Sequence, residues 1–159
     1  MTTTVSHAAL SPHRLGELAG QVAARSGEWG HLVRFGAGQR WHHRLELAAG
    51  YEIWLLSWLP GQRTGFHDHG DAAGAFAVAC GQLCERTVPP GQRAASSRTL
   101  ATGTVRSFGS RYVHDVLNLS AGLAVSVHAY SPPLTAMRRY ELTTAGLAQA
   151  GTGRAGRDW

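Results

Sequence analysis

The chain contains no lysine, only two cysteines and no long apolar run. Its fifteen basic residues are all arginine, and they leave a formal charge of +5. Those arginines are scattered, with Arg138-Arg139 the one adjacent pair. No stripe or run is available to track phosphates, so a nucleic-acid partner is not expected. Cys80 and Cys84 are too few for a disulfide framework. No stretch approaches the ~18 apolar residues of a membrane span. The opening Met-Thr-Thr-Thr-Val-Ser-His lacks the basic start and apolar core of a signal peptide. These absences lead us to expect a cytoplasmic protein in a reducing compartment, with no membrane partner. Charged residues are also sparse, at 16% against 43% apolar, which is a globular balance rather than a disordered one.

Glycine, at twenty residues, and histidine, at nine, are plentiful. With six prolines, the glycines imply many turns and short connections, which favours an all-β fold. A length of 159 residues suits one domain, 1–159, with a core of its own. Ser11-Pro12 reads as the N-cap and first position of a helix over about 12–26. Its Leu15, Leu18, Val22 and Ala23 fall at helical spacing, and the helix should lie outside the sheets.

Strands are expected at 41–47, 51–58, around His67 and His69, at 74–79, 83–88, 99–102, 105–108 and 113–117, and at 123–130. Residues 93–97 read as a polar loop. The last strand alternates, with Leu123, Val125 and Val127 on one side and Ala124, Ser126, His128 and Tyr130 on the other. The barrel should occupy about 40–140, and a tail over about 150–159 should be flexible. We find no internal repeat and no linker, so a single sandwich or barrel is the simplest reading.

Gly61-Gln-Arg-Thr-Gly-Phe-His67-Asp-His69 carries the chemistry. Two histidines one residue apart in a strand share a face, and paired imidazoles begin a transition-metal site. His114 is a third candidate ligand. Three neutral ligands leave the metal its full charge and up to three open positions. Zinc with water is compatible with such a set, and iron(II) binding both a substrate and O2 is the sharper alternative.

The spacing Gly61, His67-x-His69, Gly74, Gly81 is similar to the first cupin motif. Gly103 with His114-x-x-x-Asn118 matches parts of the second. The resemblance implies a double-sheet jelly-roll β-barrel with the histidines meeting at its mouth. The glutamate usual in the first motif is replaced by Gly74. Within the cupins, three stretches resemble the cysteine dioxygenases, in family order: Trp58 to His69, Gly81-Gln-Leu-Cys-Glu-Arg, and Ser126-Val-His128-Ala-Tyr130-Ser131-Pro132-Pro133. The similarity spans roughly residues 40 to 140.

The resemblance implies oxidation of L-cysteine by O2 to cysteine sulfinic acid at one mononuclear non-haem iron(II). His67, His69 and His114 would bind the iron. Arg44 falls where the family places its carboxylate-binding arginine, and a planar guanidinium grips a carboxylate bidentately. Ser126, His128 and Tyr130 would form a hydrogen-bonded relay, with Tyr130 and His128 turned to substrate. Leu56, Trp58 and His42 would line the pocket, and Ser131-Pro132 would be a cis peptide. No cysteine–tyrosine cross-link is expected, because Gly74 stands where many animal members carry the cysteine.

The implied partners are a small thiol and O2, with the chain acting as a monomer. Two other readings stay open: a dioxygenase for another thiol carboxylate such as 3-mercaptopropionate, and a non-catalytic cupin that binds a metal or small ligand.

Overall fold

The computed structural model describes residues 8–154. The sequence readings made on residues 1–7 and 155–159 lie outside that range. Helix α1 (Pro12–Ala24) starts as expected, with the Ser11 hydroxyl accepting the Arg14 amide at 3.2 Å. It ends earlier than expected, at Ala24. A further turn, α2 (Ser26–Trp29), folds back so that the Trp29 indole donates to the Val22 carbonyl at 2.8 Å.

Eleven strands follow among the described residues: β1 (His42–Leu47), β2 (Glu52–Trp58), β3 (Phe66–His67), β4 (Ala73–Cys80), β5 (Gln82–Thr87), β6 (Ser96–Ala101), β7 (Val105–Phe108), β8 (Asp115–Leu117), β9 (Ala124–Ser131), β10 (Ala136–Thr143) and β11 (Gly146–Arg154). One sheet has the order β1-β2-β9-β4-β7. The facing layer consists of two three-stranded sheets, β11-β10-β3 and β6-β5-β8. They meet along two isolated antiparallel bridges, Arg63 with Leu117 and His67 with His114, the latter pair exchanging both backbone hydrogen bonds, at 2.9 and 3.0 Å. Two of the candidate ligands therefore lie in the seam that joins the halves of the facing layer.

The three central strands of the five-stranded sheet, β2, β9 and β4, are buried on both faces, which explains their near-continuous apolar runs. Ile53, Leu55, Ala75, Ala77, Val125, Val127 and Ala129 point outward under Leu15 and Ala19 of α1. Trp54, Leu56, Trp58, Phe76, Val78 and Tyr130 point inward, against Leu83, Leu100 and Val116 of the facing layer. The helix approaches so closely that a Cβ at Gly16 would lie 2.3 Å from the Ser107 hydroxyl.

Three expectations need correction. Strand β3 ends at His67, and His69 lies beyond it in a turn that closes with Ala72 N donating to His69 O at 3.2 Å. Residues 96–97 belong to β6 rather than to a polar loop. Residues 150–154 are paired rather than frayed: β11 runs to Arg154 against β10, with Gly153 buried opposite Met137. Glycines at those positions hide a strand from propensity, since they contribute no side chain to the pattern.

Candidate metal centre

His67 and His114 stand opposite each other in an antiparallel bridge, so their side chains share a face. Gly65, in the left-handed region at φ 73°, turns its carbonyl to accept the His67 Nδ1–H at 2.9 Å. That bond leaves Nε2 of His67 with a bare lone pair, 3.2 Å from Nε2 of His69. The His69 ring lies between Phe108, nearly parallel at 5.0 Å, and Tyr130 at 4.9 Å. The Nδ1 atom of His114 donates to the Glu85 carboxylate at 3.0 Å.

The ligand atoms of the three histidines lie within 4.8 Å of one another, and all three rings are buried. Lone pairs that converge in a dry interior call for a cation between them. A separation of 3.2 Å also suits adjacent nitrogens each ~2.1 Å from one metal. The donor set therefore fits a mononuclear ion. Burial, reinforced by neighbouring His114, holds His67 down at about 3. Burial and the adjoining histidines also depress His69. Both rings are thus neutral and ready to bind metal at neutral pH.

Each ligand strand alternates so that the next residue faces the other way. Asp68 accepts from Arg138 Nε and the Tyr140 hydroxyl, both at 2.8 Å, tying the His67–His69 turn to β10. Asp115 is clamped by Arg63 and Arg86. His69 lines a cleft of about 490 Å³ between the Gly70–Ala72 turn, Pro132-Pro133 and β10.

On the opposite sheet the relay residues stand in register on the inner face of β9. The Trp58 indole donates to Ser126 Oγ at 2.9 Å, Ser126 Oγ lies 2.8 Å from His128 Nε2, and His128 Nδ1 lies 3.1 Å from Tyr130 Oη. The indole can only donate, so Ser126 Oγ accepts it, and the His128 ring bridges the Ser126 hydroxyl and the Tyr130 O–H through its two nitrogens. Burial, then the Glu52 carboxylate, pushes the Tyr130 phenol up, so it keeps that proton. The Ser131-Pro132 peptide is cis.

The sequence singled out Arg44, and the structure holds a second arginine nearby, Arg40, in a different setting. Arg44 is half exposed, 3.6 Å from the Glu52 carboxylate and over the Trp54 ring at 5.4 Å. Arg40 is 6% exposed and stacks 4.5 Å over the Trp58 ring. One of its nitrogens donates to the Arg63 carbonyl at 2.9 Å, while Nε and Nη2 are buried with no hydrogen-bond partner among the described residues. Burial pulls its guanidinium down to about 10, and it lies in the field of Tyr130, His67 and His128.

His42 and Arg44 share a strand face; Arg40, one residue before the strand expected at 41–47, continues that period but was not singled out in the sequence. What it did not reveal was which end of that face reaches the histidines. The register decides: Arg44 pairs with Trp54 and His42 with Leu56, so the run toward Arg40 leads to Trp58 at the deep end. Leu56 and Trp58 are fully buried on the inner face, and His42 leans on Trp54 at 5.8 Å.

The fold is shared with solved structures at low identity. A protein from Thermus thermophilus, termed TT1209, is 20% identical with a TM-score of 0.58, over 65% of this chain and 93% of that one. A conserved protein with a double-stranded β-helix domain from Klebsiella pneumoniae is 17% identical with a TM-score of 0.57, over 76% and 92%. A cupin superfamily protein from Desulfitobacterium hafniense is 12% identical with a TM-score of 0.53, over 64% and 84%. These place the architecture among the cupins. The family model for cysteine dioxygenase type I matches residues 4–143, a span holding the three histidines, the relay and both candidate arginines, and this chain belongs to that family.

Proposed function

We propose that the protein is an iron(II)-dependent thiol dioxygenase that converts L-cysteine and O2 to cysteine sulfinic acid. The observation that carries this reading is Arg40. Its buried cation has two unpartnered nitrogens and lies beside a three-histidine cluster, where a small carboxylate is the natural complement.

His67, His69 and His114 would hold the iron(II), which would supply redox chemistry toward O2 and a positive charge that favours the thiolate. Arg40 takes the substrate carboxylate, and Arg44 is engaged by Glu52. Tyr130 would donate its O–H to the same carboxylate. His128 and Ser126 hold that phenol in one orientation. Leu56 and Trp58 keep water from the thiol. The stoichiometry is one thiol and one O2 to one sulfinic acid, with both oxygen atoms ending on sulfur. Cys80 and Cys84 are unpaired, in keeping with a cytoplasmic enzyme, which we read as acting as a monomer.

The test is O2 uptake by iron(II)-loaded protein with L-cysteine and with 3-mercaptopropionate in parallel, the product being identified by mass. We expect one O2 per cysteine consumed and sulfinate as product. Preference for 3-mercaptopropionate would transfer the activity to that substrate. No uptake with either thiol at full iron occupancy would refute the dioxygenase reading.

A further inference from the structure

The three imidazoles differ at the nitrogen that faces away from the cluster. His67 donates to a backbone carbonyl, His69 Nδ1 is buried with no partner among the described residues, and His114 donates to a carboxylate. That carboxylate, Glu85, lies in β5 next to β8, on the inner face and 2% exposed. Both of its oxygens are engaged. Oε1 accepts from His114 Nδ1 at 3.0 Å and from the Tyr112 hydroxyl at 3.1 Å, and Oε2 accepts from Arg106 Nε at 2.7 Å.

We propose that Glu85 is a positioning residue of the metal centre, and that through His114 it supplies the carboxylate missing from the ligand set. The inference rests on the reading of the three histidines as a metal site. No carboxylate can enter at Gly74, because a Cβ there would lie 2.5 Å from a Phe108 ring carbon and 2.9 Å from one of Tyr130. Asp68 and Asp115 point away from the cluster into their arginines, and Glu52 is matched by Arg44. Among the described residues, Glu85 is the acid in hydrogen-bond contact with a ligand ring.

Two consequences follow for that ring. Donation to Glu85 fixes the hydrogen of His114 on Nδ1, so Nε2 is the ligand atom. A charged acceptor also makes that imidazole a stronger donor than one bonded to a carbonyl. The centre is therefore electronically uneven, with His114 its most electron-rich ligand. Tyr112 and Arg106 fix the carboxylate from behind. Arg106 opens onto a polar pocket shared with Ser96, Ser97 and Arg98.

The test compares wild type with Glu85→Gln, which keeps the size and hydrogen-bonding reach but removes the charge. Affinity for Co(II) is measured by competition with a chelator, and the Fe(III)/Fe(II) midpoint potential is measured on iron-loaded protein. We expect one metal per chain in both, bound about 10- to 100-fold more weakly in the variant, with the potential shifted positive. Equal affinity and equal potential would overturn the proposal.

Wild type also gives a readout that does not depend on the variant folding. In Zn(II)-loaded protein the Nδ1 proton of His114 should resonate well downfield of that of His67. Coincident shifts would overturn the proposal too. Wild type that binds metal but oxidises no thiol would refute the dioxygenase reading and leave this one standing. Wild type that binds no divalent metal would end both.

Discussion

Replacing Gly74 with alanine adds one methyl group at the most crowded point beside the candidate centre. The new carbon would sit 2.5 and 2.8 Å from two ring carbons of Phe108 and 2.9 Å from one of Tyr130. Carbon atoms rest at roughly 3.5–4.0 Å, so the Phe108 ring must retreat by about 1 Å. It has little room, being 5% exposed and stacked on both His69 and Tyr112 at 5.0 Å. Overpacking of this kind costs about 1–3 kcal/mol. Alanine regains about 0.5–1 kcal/mol over glycine within a strand, so we expect a net loss of about 1–2 kcal/mol.

Urea unfolding should show this as a lower midpoint with an unchanged slope. Because Phe108 stacks on His69, metal affinity should fall as well. In a Phe108→Leu background the clash is largely relieved, and the two substitutions should couple by about 1 kcal/mol or more. Additivity within about 0.5 kcal/mol would refute the packing argument.

Two further outcomes follow from charge. The metal-free protein should lose stability as pH falls from 7 to 5. His67 stays neutral in the fold, at about 3, while the unfolded chain takes up its proton near 6.5, which costs about 2 kcal/mol by pH 5. Buried His69 and His128 shift in the same direction and add to the loss, so unfolding free energy that is flat over this range would contradict the burial reading. Arg40→Met should raise KM for the thiol carboxylate about 10- to 100-fold, as expected for a lost charge-assisted contact, yet stabilise the substrate-free protein by removing an under-satisfied buried cation. Arg44→Met should change KM by less than about threefold, and a larger effect at Arg44 than at Arg40 would return the carboxylate role to Arg44.

Most strands up to β9 were legible from local spacing, whereas β10 was not anticipated, and His114 joined the His67/His69 pair only through the family resemblance. The alternation in β9 put Ser126, His128 and Tyr130 on one face, and the structure has them there in hydrogen-bond contact. The His67-x-His69 pair was legible for a reason that proved only half right. His67 is in a strand, but His69 reaches it around a turn through Gly70, with φ 61°, rather than by strand period. Long-range register was not legible. Arg40 is distinguished from Arg44 only by the pairing of β1 with β2, and Glu85 meets His114 only because β5 pairs with β8. Strand β11 was hidden by its glycines.

The distribution of acids bears on the substrate proposed above. His67-Asp68 and His114-Asp115 each turn a neutral nitrogen inward and send a carboxylate outward to arginines. Within the barrel Glu52 is matched by Arg44, and Glu85 by Arg106 together with the His114 hydrogen bond. With a divalent ion at the histidines, that ion and Arg40 are two buried positive charges with no carboxylate in contact with them among the described residues. In a dry pocket such an excess is costly and is best relieved by an anionic ligand. A thiolate for the metal and a carboxylate for Arg40, carried on one small molecule, supply both. A neutral thiol without a carboxylate would leave Arg40 buried and uncompensated. We therefore expect cysteamine to be oxidised far more slowly than cysteine, and comparable kcat/KM for the two in the O2-uptake assay would refute the charge argument.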